Sequence, residues 1–159
     1  MKNLARKPRS APRRVALFFA IAVLAAGASA CSHLAAMAGG DVKRPAATEF
    51  GLGPRTSADQ KYTATLQPRQ PLRLRRLQTV PVLITDALGR PVEQAAIKVD
   101  GGMPEHGHGL PTQPRIGRSL GGGVYEIDGV RFSMGGWWEF KLAIESPAGA
   151  DSVTFNLSL

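Results

Sequence analysis

From Lys61 to Leu159 apolar residues recur at every second position. That period of two constrains the fold more than any other feature of the chain. The last two segments show it best. Trp138, Phe140, Leu142 and Ile144 alternate with Trp137, Glu139, Lys141 and Glu145, and Val153, Phe155, Leu157 and Leu159 alternate with Ser152, Thr154, Asn156 and Ser158. The same spacing links Tyr62, Ala64 and Leu66; Leu72 and Leu74; Val80, Val82 and Ile84; Ala95, Ile97 and Val99; and Tyr125 with Ile127, resuming at Val130 and Phe132. Turn-forming residues separate these runs at Asp86–Pro91, Gly121–Gly123, Asp128–Gly129 and Ser146–Ala150. Successive side chains of a strand point to opposite faces, so one apolar and one polar face per strand predicts antiparallel sheets packed face to face. About seven short strands and no helix after residue 60 make an all-β, immunoglobulin-like antiparallel β-sandwich the economical fold. Trp138 is expected in the core, and Trp137 on the opposite face, partly exposed. The single cysteine, Cys31, excludes an intramolecular disulfide, so the core must stabilise the domain.

The first 60 residues lack this period. A basic start is followed by twelve apolar residues, Val15–Ala26, and then by Gly27-Ala28-Ser29-Ala30. That order of charged, apolar and small-residue regions predicts an export signal over residues 1–30. Cleavage after Ala30 would free a soluble protein. Ala28-Ser29-Ala30-Cys31 also resembles the acylation site of bacterial lipoproteins, with Cys31 as the lipidated N-terminus, although Ala28 stands where Leu or Val is usual. A third reading retains the segment, with its weakly apolar extension through Met37, as an uncleaved signal or anchor helix. Residues 31–60, rich in Gly, Pro, Ala and charge, are predicted to be a flexible tether, with residues 61–159 as the domain. The formal charge of +8 resembles a nucleic-acid signal, but six of the 20 basic residues lie in the first 14 positions. The other 14 face 12 acidic residues, so a nucleic-acid partner is not expected. Arg73, Arg75 and Arg76 read as the solvated face of a strand.

The stretch Asp100–Arg118, DGGMPEHGHGLPTQPRIGR, interrupts the strand pattern with a density of Gly and Pro that predicts one long loop. Loops of that length in a compact domain are commonly functional. It carries Met103, His106 and His108, and a second Gly-rich break, Phe132-Ser-Met-Gly-Gly136, carries Met134. Thioether and imidazole are softer donors than carboxylate, and thioether in particular suits Cu(I). On an extended backbone, histidines at i and i+2 face the same side. A sandwich could bring both breaks to one end, making a four-ligand site. The competing structural reading has the histidines bonding loop backbone and the methionines filling the core.

Other chemistries fit less well. A blue-copper centre needs a Cys thiolate beside two His, and Cys31 lies at the processing site. Zinc hydrolysis needs three protein ligands and a base, whereas only two histidines are near Glu105. Ser119 and Ser133 lack a G-x-S-x-G context, and Gly121–Gly123 follows no strand-to-helix pattern that would cradle a phosphate. An enzyme is not expected.

Asp86-Ala-Leu-Gly-Arg-Pro-Val92, Gly101-Gly-Met-Pro-Glu-His-Gly-His-Gly109 with Leu110-Pro111, Tyr125–Met134 and Gly136-Trp-Trp138 together resemble the YtkA-like family of small exported β-sandwich domains, related to FixH. Met-Pro-x-His-x-His-Gly is the specific element. The resemblance implies an accessory protein of the bacterial envelope, binding copper through Met103, His106, His108 and Met134. Membrane attachment through the N-terminal lipid or anchor is expected from the segment around Cys31. The alternative is a non-metal module whose 100–118 loop, with Leu110, and Trp137 face contact an envelope protein partner. In a third reading the loop is architectural.

Overall fold

A computed structural model describes residues 42–159. The predicted export segment, Cys31 and His33 lie outside the described residues. Among the described residues no helix is long and apolar enough to cross a membrane. Among the described residues nine strands run in chain order: β1 (Arg55–Thr56), β2 (Tyr62–Leu66), β3 (Gln78–Asp86), β4 (Ala96–Met103), β5 (His108–Gly109), β6 (Arg115–Gly121), β7 (Val124–Val130), β8 (Trp137–Ser146) and β9 (Gly149–Ser158). Two short 3-10 turns, Ala47–Glu49 and Pro104–His106, accompany them.

The strands form one hydrogen-bonded antiparallel sheet in the order β1-β2-β3-β7-β6-β4-β8-β9, with β5 paired to β4. This differs from the expected two-sheet immunoglobulin sandwich of about seven strands. The sheet folds on itself, and the two halves, β1-β2-β3-β7-β6 and β5-β4-β8-β9, are joined between β6 and β4 by a single pair, Lys98–Arg115. On the opposite side β9 meets the chain before β2: Gly51 N–H donates to the Asn156 carbonyl (2.9 Å) and Ala58 N–H to the Ser152 carbonyl (2.9 Å). The result is a nearly closed, barrel-like sheet. Closure of this kind removes the exposed edges that an open sheet would offer to other chains.

The period of two did fix the inward faces. Tyr62, Ala64, Leu66, Val80, Val82, Ile84, Tyr125, Ile127, Trp138, Phe140, Leu142, Ile144, Val153, Phe155 and Leu157 are all buried in one core. Among the described residues every member of that core lies between Tyr62 and Leu159, and residues 41–159 form one compact unit. Trp138 is fully buried, as its register requires. β8 and β9 pair from Trp137–Ser158 to Ser146–Gly149, a long hairpin closed by Pro147-Ala148.

Three sequence-based expectations fail here. The second half of the supposed tether is docked: β1 pairs with β2, and Phe50 bridges to Asn156 of β9. Trp137 does point away from the core, but it is 2 % exposed, because Phe50 stacks edge-on against it (6.5 Å between centroids) and its indole N–H donates to Asn156 Oδ1 at 3.0 Å. Residues 72–76 are not a strand, despite their alternation. They belong to the loop between β2 and β3, where Leu74 makes an isolated bridge to Phe132 and Leu72 packs against the core.

Candidate functional site

The Asp100–Arg118 stretch is not one loop. β4 continues through Gly101 and Gly102 to Met103, and β5 returns antiparallel to it, pairing Met103 with His108 and Gly102 with Gly109. The glycines permit this. A Cβ on Gly102 would stand 2.5 Å from the His108 carbonyl oxygen, and one on Gly101, where φ is +159°, would overlap the Glu139 carbonyl of β8. Two neighbouring backbones can approach β4 this closely only because no side chain intervenes. Between β4 and β5 lies the Pro104–His106 turn. Gly107 ends it in the left-handed region (φ 64°), and its N–H donates to the Met103 carbonyl at 3.0 Å.

This geometry places the candidate ligands one by one. Met103 is buried, 1 % exposed, and a Cβ built on Gly136 would lie 2.7 Å from its Cε. His108 lies directly across the ladder from Met103, so thioether and imidazole share one face of the strand pair. The His108 ring meets Trp138 edge-on at 5.6 Å, and the Trp138 indole N–H donates to the Met134 carbonyl at 3.0 Å. Trp138 therefore connects the His-bearing turn to the Phe132–Gly136 break, and the two breaks do share an end of the barrel. The Met134 side chain is 38 % exposed beside this junction.

His106 and His108 do not sit on an extended backbone, because His106 is inside the 3-10 turn. Their ring centroids are nonetheless 6.1 Å apart. Two imidazoles bound to one ion through nitrogens at about 2 Å would have centroids about 5–6 Å apart. Both residues are exposed. The Nδ1 of His108 lies 3.0 Å from the Gly109 carbonyl. A carbonyl only accepts, so Nδ1 carries the proton, and in the neutral ring Nε2 keeps its lone pair free. Metal-binding histidines are commonly oriented in this way by the nitrogen that does not bind.

Around the turn, charges are paired. Arg44 donates to both carboxylate oxygens of Glu105, at 3.1 and 3.3 Å, while its guanidinium lies 5.5 Å from the Phe50 ring centroid. Lys141 and Glu139 form a 2.7 Å ion pair on β8. A shallow depression lined by Asp100, Met103, Pro104, His108, Glu139 and Lys141 runs along the outside of β4. The described residues contain no cluster of three or more His, Cys, Asp or Glu, so a metal at this end would depend on the thioethers.

The model of the YtkA-like family matches residues 56–143, more than half of the chain. The chain belongs to the YtkA-like family. The matched segment runs from Thr56 in β1 to Ala143 in β8 and includes Met103, His106, His108 and Met134. No curated protein and no solved structure matches the chain.

Of the two partner-contact residues expected in this YtkA-like domain, Leu110 is partly buried and Trp137 is buried. Leu110 packs against the core, its N–H donating to the Gly101 carbonyl at 3.0 Å, and Trp137 lies under Phe50. The roles of three residues at this end are not legible in the sequence. Trp138 holds both breaks together, and the pairing of Gly101-Gly102 with β5 sets the Met103–His108 register. The Gly-Gly doublet was the available signal, but among so many turn-formers it read as loop rather than as a strand approached closely from both sides.

Proposed function

We propose that this YtkA-like protein is an exported accessory module of the bacterial envelope that binds copper for handling or delivery. Its ligands are Met103, His106, His108 and Met134. The reading rests above all on the cross-strand pair Met103–His108, in which a thioether and an imidazole with its Nε2 lone pair free share one face of β4–β5. His106 stands one turn away, and Met134 lies across Trp138. Two imidazoles with thioethers suit Cu(I) better than the harder divalent ions. The paired charges around the turn supply no carboxylate-rich alternative of the kind Ca²⁺ or Mg²⁺ require. The export signal and lipid attachment at Cys31 rest on the N-terminal sequence pattern.

The test is calorimetric titration of residues 42–159 with Cu(I) under reducing, oxygen-free conditions and with Cu(II), beside the His106→Ala/His108→Ala variant. Both histidines are exposed, so the variant should melt like the wild type. Stoichiometric Cu(I) binding, micromolar or tighter and lost in the variant, is the expected result. A folded wild-type domain that takes up no copper sinks the proposal. Met134→Leu, which keeps volume and removes the sulfur, should weaken Cu(I) binding more than Cu(II) binding.

A further inference from the structure

The loop between β2 and β3 presents three arginines and two leucines on a fixed frame, and no feature of the metal reading uses it. Arg73, Arg75 and Arg76 are exposed, and no ion pair among the described residues involves them. Leu74, between Arg73 and Arg75, is 39 % exposed, and Leu77, after Arg76, is 69 % exposed. The backbone beneath is pinned. The Gln78 side-chain amide accepts from Arg73 N–H at 2.7 Å and donates to the Arg73 carbonyl at 2.9 Å. Arg75, at φ 59°, donates its N–H to the Phe132 carbonyl at 2.7 Å. The Arg75 Nε–H donates to the Ser133 carbonyl at 3.3 Å, so the loop is pinned at its centre, while Arg73 and Arg76 are exposed on either side of it.

The loop lies at the same end of the barrel as the Met/His turn. A Cβ on Gly135 would lie 3.8 Å from Leu74 Cδ1, and Gly136 adjoins Met103, which begins the turn. The exposed Met134 extends the apolar part of the patch. Arg44, where the chain arrives from the predicted export segment, is ion-paired to that turn.

We infer that this Arg/Leu loop is a docking surface for an anionic phospholipid bilayer. Three things favour a bilayer over an acidic protein. Guanidinium groups without a carboxylate partner among the described residues, those of Arg73 and Arg76 above all, match phosphate headgroups bidentately. Leucines among them offer short apolar anchors suited to the headgroup–acyl boundary. The chain also enters the domain at this end, at the Arg44–Glu105 pair, so on the reading that the N-terminal segment attaches the protein to a membrane the loop lies near that membrane. The loop adds a basic headgroup contact to that attachment and turns the Met/His end toward the bilayer.

The probe is flotation of residues 42–159, which lack the export segment, with vesicles of phosphatidylcholine alone or with a third phosphatidylglycerol. The domain should float with the anionic vesicles only, and less as salt rises, because screening weakens the attraction. Arg73→Gln/Arg76→Gln leaves Arg75 and its backbone bond in place, so it should fold normally. It should lower partitioning about twenty-five-fold, at about fivefold per basic residue. Leu77→Trp should shift its emission to the blue on anionic vesicles. Equal binding to neutral vesicles, no binding to anionic ones, or binding unchanged in the arginine variant would each overturn the proposal. Retention on immobilised polyglutamate without vesicle binding would reassign the loop to an acidic protein. Copper titration of the arginine variant keeps the two proposals separate, because its metal binding should be unchanged.

Discussion

Gly102 controls the geometry of the Met103–His108 pair more directly than either of the two side chains does. It has no side chain because the His108 carbonyl oxygen occupies the place where a Cβ would stand, 2.5 Å away. The obstacle is backbone, which cannot swing aside as a side-chain tip can. Gly102→Ala must therefore push β5 away from β4 or break the Met103–His108 pair. We expect a loss of about 2–3 kcal/mol in denaturant unfolding, in line with other substitutions that overpack a close contact. Copper affinity should fall even at temperatures where the variant is fully folded. An Ala variant with unchanged stability would mean that β5 is free to move and that the Met103–His108 register is not enforced. Gly109, on β5 opposite Gly102, is a useful control. A Cβ there would meet only the Gly101 carbonyl at 3.5 Å, an ordinary contact, so Gly109→Ala should cost much less.

At the scale of elements, the segment from Arg44 to Thr56 decides whether Trp137 is a surface or a core residue. Its 3-10 turn, Ala47–Glu49, is capped by the Glu49 carboxylate, which accepts the Ala46 N–H at 3.0 Å, and it delivers Phe50 onto Trp137. Phe50→Ala should cost about 1–2 kcal/mol, from lost apolar burial and an aromatic contact. It should also shift tryptophan emission to the red as Trp137 meets water. An unshifted spectrum would show that the bond to Asn156 alone keeps the indole dry. None of this was legible beforehand, because the segment docks through single contacts and main-chain bonds, which leave no period in the sequence. The inward faces of β2, β3, β7, β8 and β9 were legible, because burial on one face repeats at every second residue. The β2–β3 loop misled for the opposite reason. Leu72-Arg73-Leu74-Arg75 alternates like a strand, yet its backbone bonds go to the Gln78 amide and to Phe132 rather than to a ladder. The residue types of the candidate site, Met103, His106 and His108, were readable. Their arrangement was not, because it depends on a strand pair hidden inside a run of turn-formers.

For the molecule as a whole, the folded sheet is held along two seams, and they differ in strength. The β4–β6 seam has one residue pair, Lys98–Arg115. The other seam, between β9 and the chain leading into β2, is built around one carboxylate. Asp151 accepts N–H bonds from Asp59 at 3.0 and 3.1 Å, from Lys61 at 3.2 Å and from Ser152 at 2.7 Å. Next to it, Tyr62 O–H bonds to Ser146 Oγ at 2.7 Å and to the Gly149 carbonyl, and Lys61 Nζ donates to the Ala150 carbonyl at 2.8 Å. Burial works against the charge on Asp151, but bonds from the Ser57 hydroxyl and the backbone N–H groups of Asp59, Ser152 and Lys61 outweigh it, and the carboxyl is lowered to about 2. In the unfolded chain the same group titrates near 3.8. A carboxyl whose folded pKa is depressed stabilises the fold above its unfolded value, and that contribution is lost as pH falls through the folded one. Asp151 should therefore support the seam fully above about pH 4, and its share should vanish between about pH 4 and pH 2. The group is only partly shielded from solvent, so the contribution is about 1–2 kcal/mol rather than the full linkage value. Asp151→Asn should lower the melting temperature at pH 7 and leave a flatter stability curve between pH 4 and 2. If the wild type and Asp151→Asn lose stability in parallel over that interval, the acid sensitivity lies elsewhere, and Asp86 is the next group to test. The Arg90 side chain and the Arg90 and Leu88 N–H groups hold its carboxyl below the usual range, at the opposite end of β3 from the Arg/Leu loop.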